Sequence, residues 1–483
     1  MSVRVCALIV GASVSAAAAA GCQTPDPQPQ HPNSYPTARA GGSPATTTAL
    51  PPVTPAVAAL PTTTSSGVVP ASFAPVSGPP MTVADLEQLA LAHNPTLVQA
   101  ATFIDAARGK ALQAGLPYNP TAGISAENIG VAGRAGEWTF FSLQQQIVTG
   151  GKLRLSRQKY EQEAELAEIQ AHAQRLKVVN GLTAAYFDVL AAQLTVENHR
   201  LLAKNADEAM KTTEQLLNLG QANQQDLLQA QVEASQAQVA VRNAETRLRQ
   251  DWVHLATQVG VPDLPQQPLV GQLEPDGPAL DRAESLARLL QDSPELAFAV
   301  AKVQQDQTQL QRERREPVPN VTVRGGVGYN YETRNPTAQV GLSLPIPVFD
   351  RNQGTVRQAA ADLTRSHAEV TRVQLDLQRR FADAFTRYEI GREQVENFRD
   401  QVLPKAKKAV ELYEEQLKAR RAAFPQVLVA QRSVYQLNEE YNRSLAQFRR
   451  AEVEVRGLLL VDGLTAPSTP TPPGHINATP KPR

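Results

Sequence analysis

Asn94-Pro95-Thr96-Leu97 and Ser293-Pro294-Glu295-Leu296 carry one instruction twice: a helix N-cap residue, then a proline at the first helical position, where its missing N–H is not needed. The two stretches lie about 200 residues apart. Further landmarks keep that offset: Pro120 with Pro319, Val148 with Val348, Tyr186 with Phe385, Gly220 with Arg420, and Ala230-Gln231 with Ala430-Gln431. The chain is an internal duplication, and its repeated unit predicts a pseudosymmetric tube or bundle. Each copy reads as helix, strand, strand, long helix, turn, helix.

No proline occurs between Pro120 and Pro262. A helix from about Gly151 to Leu217 would run roughly 100 Å at about 1.5 Å per residue, more than a compact domain needs. Along it Leu176, Val179, Thr183, Tyr186, Leu190 and Leu194 follow steps of three and four, with Leu182, Val189 and Val196 as a flanking stripe. Two stripes predict neighbours on two sides, as in a tube wall, although a plain coiled coil satisfies the same spacing. The helix ends at Leu217-Asn218-Leu219-Gly220-Gln221, with Gly220 suited to a left-handed stop, and Asp226-Leu227-Leu228 opens the return. In the second copy Leu417-Lys418-Ala419-Arg420 passes through Ala422 to Pro425, which can begin the returning helix, and then Gln426. Both segments are tips of helical hairpins.

The strand signal is clearest in the second copy. Val321, Val323, Val327, Tyr329 and Tyr331 alternate with Thr322, Arg324, Gly326, Gly328 and Asn330; across a loop near Arg334-Asn335-Pro336, Ala338, Val340, Leu342, Leu344 and Ile346 answer them. The first copy offers Ile124 and Ala126, then Trp138, Phe140, Phe141 and Leu143, where adjacent aromatics leave the facing open. About ten residues with one apolar face fit a transmembrane β-strand. A soluble hairpin packed on helices fits the same alternation.

Hydrophobic residues make up 42% of the 483 and aromatics only 5%, which favours Ala/Leu helix packing. Lys plus Arg and Asp plus Glu are both 47, so no basic face asks for nucleic acid. Arg4 precedes an apolar run from Val5 to Ala20, ending Ala19-Ala20-Gly21-Cys22. This resembles a bacterial lipoprotein signal, with Cys22 as the lipid attachment point and Ala19 where leucine is usual; an ordinary secretory signal or a short membrane helix is the alternative. Residues 23–80 hold only two charged side chains, Asp26 and Arg39, among many Pro, Thr and Ala, and read as a disordered tether. The expected organisation is a signal at 1–21, lipidated Cys22 with its tether at 22–80, one repeat at 81–280 and a second at 281–463. Their strands fall at about 119–148 and 319–348 and their tips at about 217–225 and 417–425, and a disordered tail occupies 464–483.

The order of these marks, with "IVTGGKLRLSRQ" from Ile147 and "PIPVFDRNQGTVRQA" from Pro345, resembles the TolC-like outer-membrane efflux family, closest to its CzcC/CusC heavy-metal branch. The resemblance covers about Met81 to Gly463. It implies a mainly α fold with a small β part. Long hairpins form an α-barrel, and four strands per chain contribute to a twelve-stranded transmembrane β-barrel in a homotrimer. It implies an outer-membrane exit duct for metal ions or small toxic compounds, without cofactor, working with a periplasmic adaptor and an inner-membrane RND pump. On that basis Val321, Val323, Val327, Tyr329, Val340, Leu342 and Leu344 would face lipid. Leu217, Gly220, Gln221 and Leu227, with Leu417, Arg420, Ala422 and Pro425, would form the adaptor-docking tips, and Asp226 and Gln426 the tunnel constriction. Two departures stand out: Gln426 and Val429 occupy positions where the family often has acidic residues, and Arg420 stands where glycine is common.

No catalytic constellation emerges. The seven histidines, His31, His93, His172, His199, His254, His367 and His475, show no i, i+4 pair, and Gly325-Gly326-Val327-Gly328 does not lead into a helix as a phosphate loop must. A lipid-anchored coiled-coil adaptor or an envelope scaffold would share the signal and the long hairpins, but neither needs the paired strands, and an adaptor should add a lipoyl-like β-domain that is missing here.

Overall fold

The computed structural model describes residues 80–130, 136–220, 222–275, 277–419 and 424–468. The expected signal, Cys22 and its tether, Gln221, Arg420, Ala422 and most of the tail lie outside the described residues.

The elements run α1 (Val83–His93), α2 (Pro95–Gly115), β1 (Thr121–Glu127), β2 (Glu137–Ile147), α3 (Lys152–Asn218) and α4 (Gln224–Val259). They continue as α5 (Arg282–Asp292), α6 (Pro294–Arg315), β3 (Val321–Asn330), β4 (Asn335–Ser343), α7 (Gln353–Asn397), a π-turn (Phe398–Val402), α8 (Leu403–Lys418) and α9 (Phe424–Arg456). Helices dominate, and α3 alone has 67 residues. The caps work locally as the duplication predicts, with one difference. Asn94 accepts the N–H of Thr96 at 3.0 Å through its side chain, whereas Ser293 holds the N-cap position before Pro294 without a side-chain cap bond.

The four strands form one antiparallel meander in the order β1-β2-β3-β4, so β2 of the first copy pairs with β3 of the second and joins the halves. Helices arrange as a layer in which α2 packs on α3, α3 on α6 and α6 on α7; farther along, α3 packs on α4 and α9. The equivalent residues Tyr186 and Phe385 are both buried, and Phe385 continues a ring stack from Phe381 to Tyr388 and Phe448 with centroids 5.3 to 5.6 Å apart. The connection after α4 closes this core: Trp252 donates its indole N–H to the Leu264 carbonyl at 2.9 Å, and Met81 bridges in parallel to Leu269.

Three expectations change. On α3 the deepest line is Val178, Leu182, Val189 and Val196, while Leu194 is 40% exposed. The stripe named as flanking is the centre, because α4 and α9 meet α3 from either side of it. The second long helix is not α-helical throughout, although it runs on without a break. Pro404 has no N–H to offer the carbonyl four residues back, and a π-turn with Leu403 N–H bonded to the Phe398 carbonyl takes up the misfit. Finally, the β3–β4 turn lies at residues 331–334, so Pro336 sits within edge strand β4, where a proline is tolerated.

Candidate functional site

The sheet has two unlike faces. Register sets Leu342 opposite Val323, Ala338 opposite Val327 and Val340 opposite Gly325, so the apolar positions of both strands share one face with Val321 and Tyr329. On β2, Ile147, Leu143 and Phe141 lie opposite Val321, Gly325 and Val327. A register shift between Thr139 and Phe141 then returns Trp138 to the same face opposite Tyr329. That bulge is what adjacent aromatics in the sequence left open. The face is bare: Val340 is 88% exposed and Leu342 68%. Leu344, grouped with the strand from its alternation, falls one residue past the end of β4, just before Pro345. The other face is polar, with Arg324 donating to Gln144 at 2.9 Å and Gln339 to Thr139 at 2.7 Å. Gly328 is required there, since a Cβ would stand 2.3 Å from the Trp138 carbonyl oxygen.

At the first tip α3 stops through Leu219 and Gly220, whose φ of 69° is left-handed. The Gly220 N–H donates to the Leu217 carbonyl at 2.9 Å. Leu217 and Leu227 are half-buried beside it. Asp226 is also half-buried, and its carboxylate accepts the Asn223 backbone N–H at 3.1 Å, capping α4. At the second tip Leu417 is half-buried, Pro425 is the second residue of α9, Gln426 is exposed, Val427 is buried and Val429 is exposed.

Where the helical layer meets the sheet, the sequence reading missed a buried ionic network. Lys110 of α2 pairs with Glu163 of α3 at 2.6 Å, Lys302 with Asp306 on α6 at 3.0 Å, and Asp306 reaches Ser366 of α7. Arg312 joins Glu313, Glu316 and Ser156. Among them Lys159 is 5% exposed, with its ammonium 4.6 Å from the Tyr160 ring. Burial pushes its pKa down from 10.5 to about 7, opposed by Glu163. No periodic signal marks these residues, because charges at buried helix positions look like a solvated face until the neighbouring helices are placed.

Among the described residues no group of three or more His, Cys, Asp or Glu side chains is placed to hold a metal ion, and no helix is long and apolar enough to cross a membrane. The family described as outer membrane efflux protein matches residues 86–261 and 286–459. The cobalt-zinc-cadmium resistance protein CzcC of Cupriavidus metallidurans is 25% identical over 398 residues, covering 82% of this chain and 94% of its own. The nickel-cobalt-cadmium resistance protein NccC of Alcaligenes xylosoxydans xylosoxydans is 27% identical over 321 residues, 63% of this chain and 69% of its own. The crystal structure of the outer membrane protein VceC from Vibrio cholerae shares the fold with a TM-score of 0.63 at 18% identity, covering 79% of this chain and 96% of VceC. With both halves of the duplication matched, the chain belongs to the outer membrane efflux protein family.

Proposed function

We propose that the chain is the outer-membrane exit duct of a tripartite efflux system, a passive conduit carrying divalent metal ions from the periplasm to the exterior. The observation that carries this reading is the four-stranded sheet, with one bare apolar face, one polar face and two open edges, set on helices far longer than a compact domain needs. A face of that kind suits lipid, and a sheet with open edges spans lipid only when copies close it into a barrel. Three copies of four strands give twelve. The resistance functions in the names of CzcC and NccC support cobalt, zinc, nickel or cadmium as cargo. In this reading Val321, Val323, Val327, Tyr329, Val340 and Leu342 face lipid. Gly220 and its neighbours at one tip and Leu417 to Pro425 at the other receive a periplasmic adaptor joined to an inner-membrane RND pump. Asp226 and Gln426 line the narrow end, and Cys22 carries a lipid.

The test is metal accumulation in cells lacking the gene. Loss should raise cellular cobalt, zinc, nickel or cadmium and sensitise growth, and a plasmid copy should reverse both. Unchanged accumulation and tolerance of all four metals would overturn the metal conduit.

A further inference from the structure

Charge is scarce in the sheet. Across the four strands it is carried by Glu127 at the end of β1, Glu137 at the start of β2 and Arg324 in β3, and β4 has none. Register sets all three residues on the polar face: Glu127 lies opposite Glu137, Glu137 opposite Asn330, and Arg324 between Gln144 and Gly341. The positions around Arg324 on that face, Ser142, Gln146, Thr322, Gly326, Gln339 and Ser343, are neutral.

The opposite charges are kept apart. Strand β3 begins just after α6, so Arg324 stands near the helical layer, whereas Glu127 and Glu137 flank the far connection between β1 and β2. From Arg324 to Asn330, the partner of Glu137, the strand runs about 20 Å at ~3.4 Å per residue. Physiological salt screens a charge over about 8 Å, so carboxylates at that distance do not offset the guanidinium. Arg324 is exposed, and its Nε and Nη2 donate at 3.3 and 2.9 Å to the one uncharged side-chain oxygen of Gln144. Arginines of α7 are held differently: Arg365, Arg372 and Arg379 pair with Asp362, Glu369 and Asp376 of their own helix.

We propose that Arg324 sets the charge preference of the barrel lumen: three copies place a positive ring at its helical end, which favours anionic solutes and holds back small cations. This rests on the trimeric barrel proposed above and adds to it the residue that selects among solutes. Twelve strands about 4.8 Å apart and tilted by about 40° enclose a radius of roughly 12 Å. Arginines reaching inward from such a wall leave no passing solute far outside the screening length, so the ring acts across the whole opening. Gly341 opposite carries no side chain that could cover the guanidinium.

The experiment uses the full chain in native membranes, with a cysteine at Gly341 or at Val340 and the parent chain as blank. A Cβ at Gly341 would stand 4.0 Å from that of Arg324, an ordinary contact, so the thiol is tolerated and reports on the guanidinium. The probes are methanethiosulfonates bearing a sulfonate or a trimethylammonium group. Gly341→Cys should react with both and faster with the sulfonate, while Val340→Cys, on the apolar face, should be nearly inert. Adding Arg324→Gln should lower the ratio of sulfonate to trimethylammonium rates about fivefold, and Arg324→Lys should keep it. In planar bilayers Arg324→Gln without the cysteine should raise the ratio of K⁺ to Cl⁻ permeability about threefold. An unchanged ratio in either measurement, with Gly341→Cys still outpacing Val340→Cys, overturns Arg324 as the selecting residue while the barrel stands. If Gly341→Cys does not outpace Val340→Cys, the barrel itself is overturned.

Discussion

Lys159 shows how much one buried charge can tell. The unfolded chain keeps this proton up to pH 10.5, whereas the folded chain releases it at about pH 7. Between those values the unfolded state binds more protons, so stability rises with pH; below about pH 7 both states are charged and the penalty is present in full. Lys159→Met should therefore raise the thermal stability of the extracted protein at pH 7 by up to a few kcal/mol, with the gain shrinking toward pH 10. A gain of equal size at both pH values, read by thermal melts, would show that burial of the ammonium is not its source. Gly220 makes a second case. Space around it is open, so its left-handed backbone alone limits substitution. Valine there should strain the tip by about 1–2 kcal/mol and impair efflux with trimers still in the membrane, while asparagine, which tolerates that geometry, should retain function. Metal export and trimer yield, measured together on both variants, check this.

At the scale of elements, the sheet invites the sharpest contrast. Val323 lies on the bare apolar face and Thr322 on the polar one. Val323→Arg should cost about 2–4 kcal/mol if the strand spans the bilayer near its midplane, and Thr322→Arg clearly less. Equal yields of extracted trimer from the two variants would argue against lipid on that face. Strand alternation in the second copy was legible because Val321 to Tyr329 keep a strict period of two. In the first copy it was not, since Trp138, Phe140 and Phe141 need the bulge after Thr139 to settle their facing, and a bulge is defined only by the partner strand. The π-turn at Phe398–Val402 is similar: how the helix accommodates Pro404 without ending shows only once its backbone is traced.

For the whole molecule, the prediction to test is export and anchoring through the N-terminus. The small residues before Cys22 and the nearly uncharged stretch after it lead us to expect lipid on that thiol. Metabolic labelling with a radioactive fatty acid should mark the wild type and spare Cys22→Ser. Equal labelling of both would remove this anchor while leaving the barrel reading intact, because that reading rests on the strands and not on the thiol.

The sequence by itself determined the duplication, the long proline-free helix α3 and its stop at Gly220, and the alternation of β3 and β4. These depend on local periodicity and on residues whose backbone limits act wherever they stand. Only the tertiary structure decided that β2 pairs with β3 across the two copies, that Leu182 and Val189 rather than Leu194 lie deepest on α3, and that Lys159, Glu163, Asp306 and Arg312 gather at one joint. Those outcomes depend on which helix or strand lies alongside, and residues more than a hundred positions apart, such as Ser156 and Arg312, meet only when the layers pack.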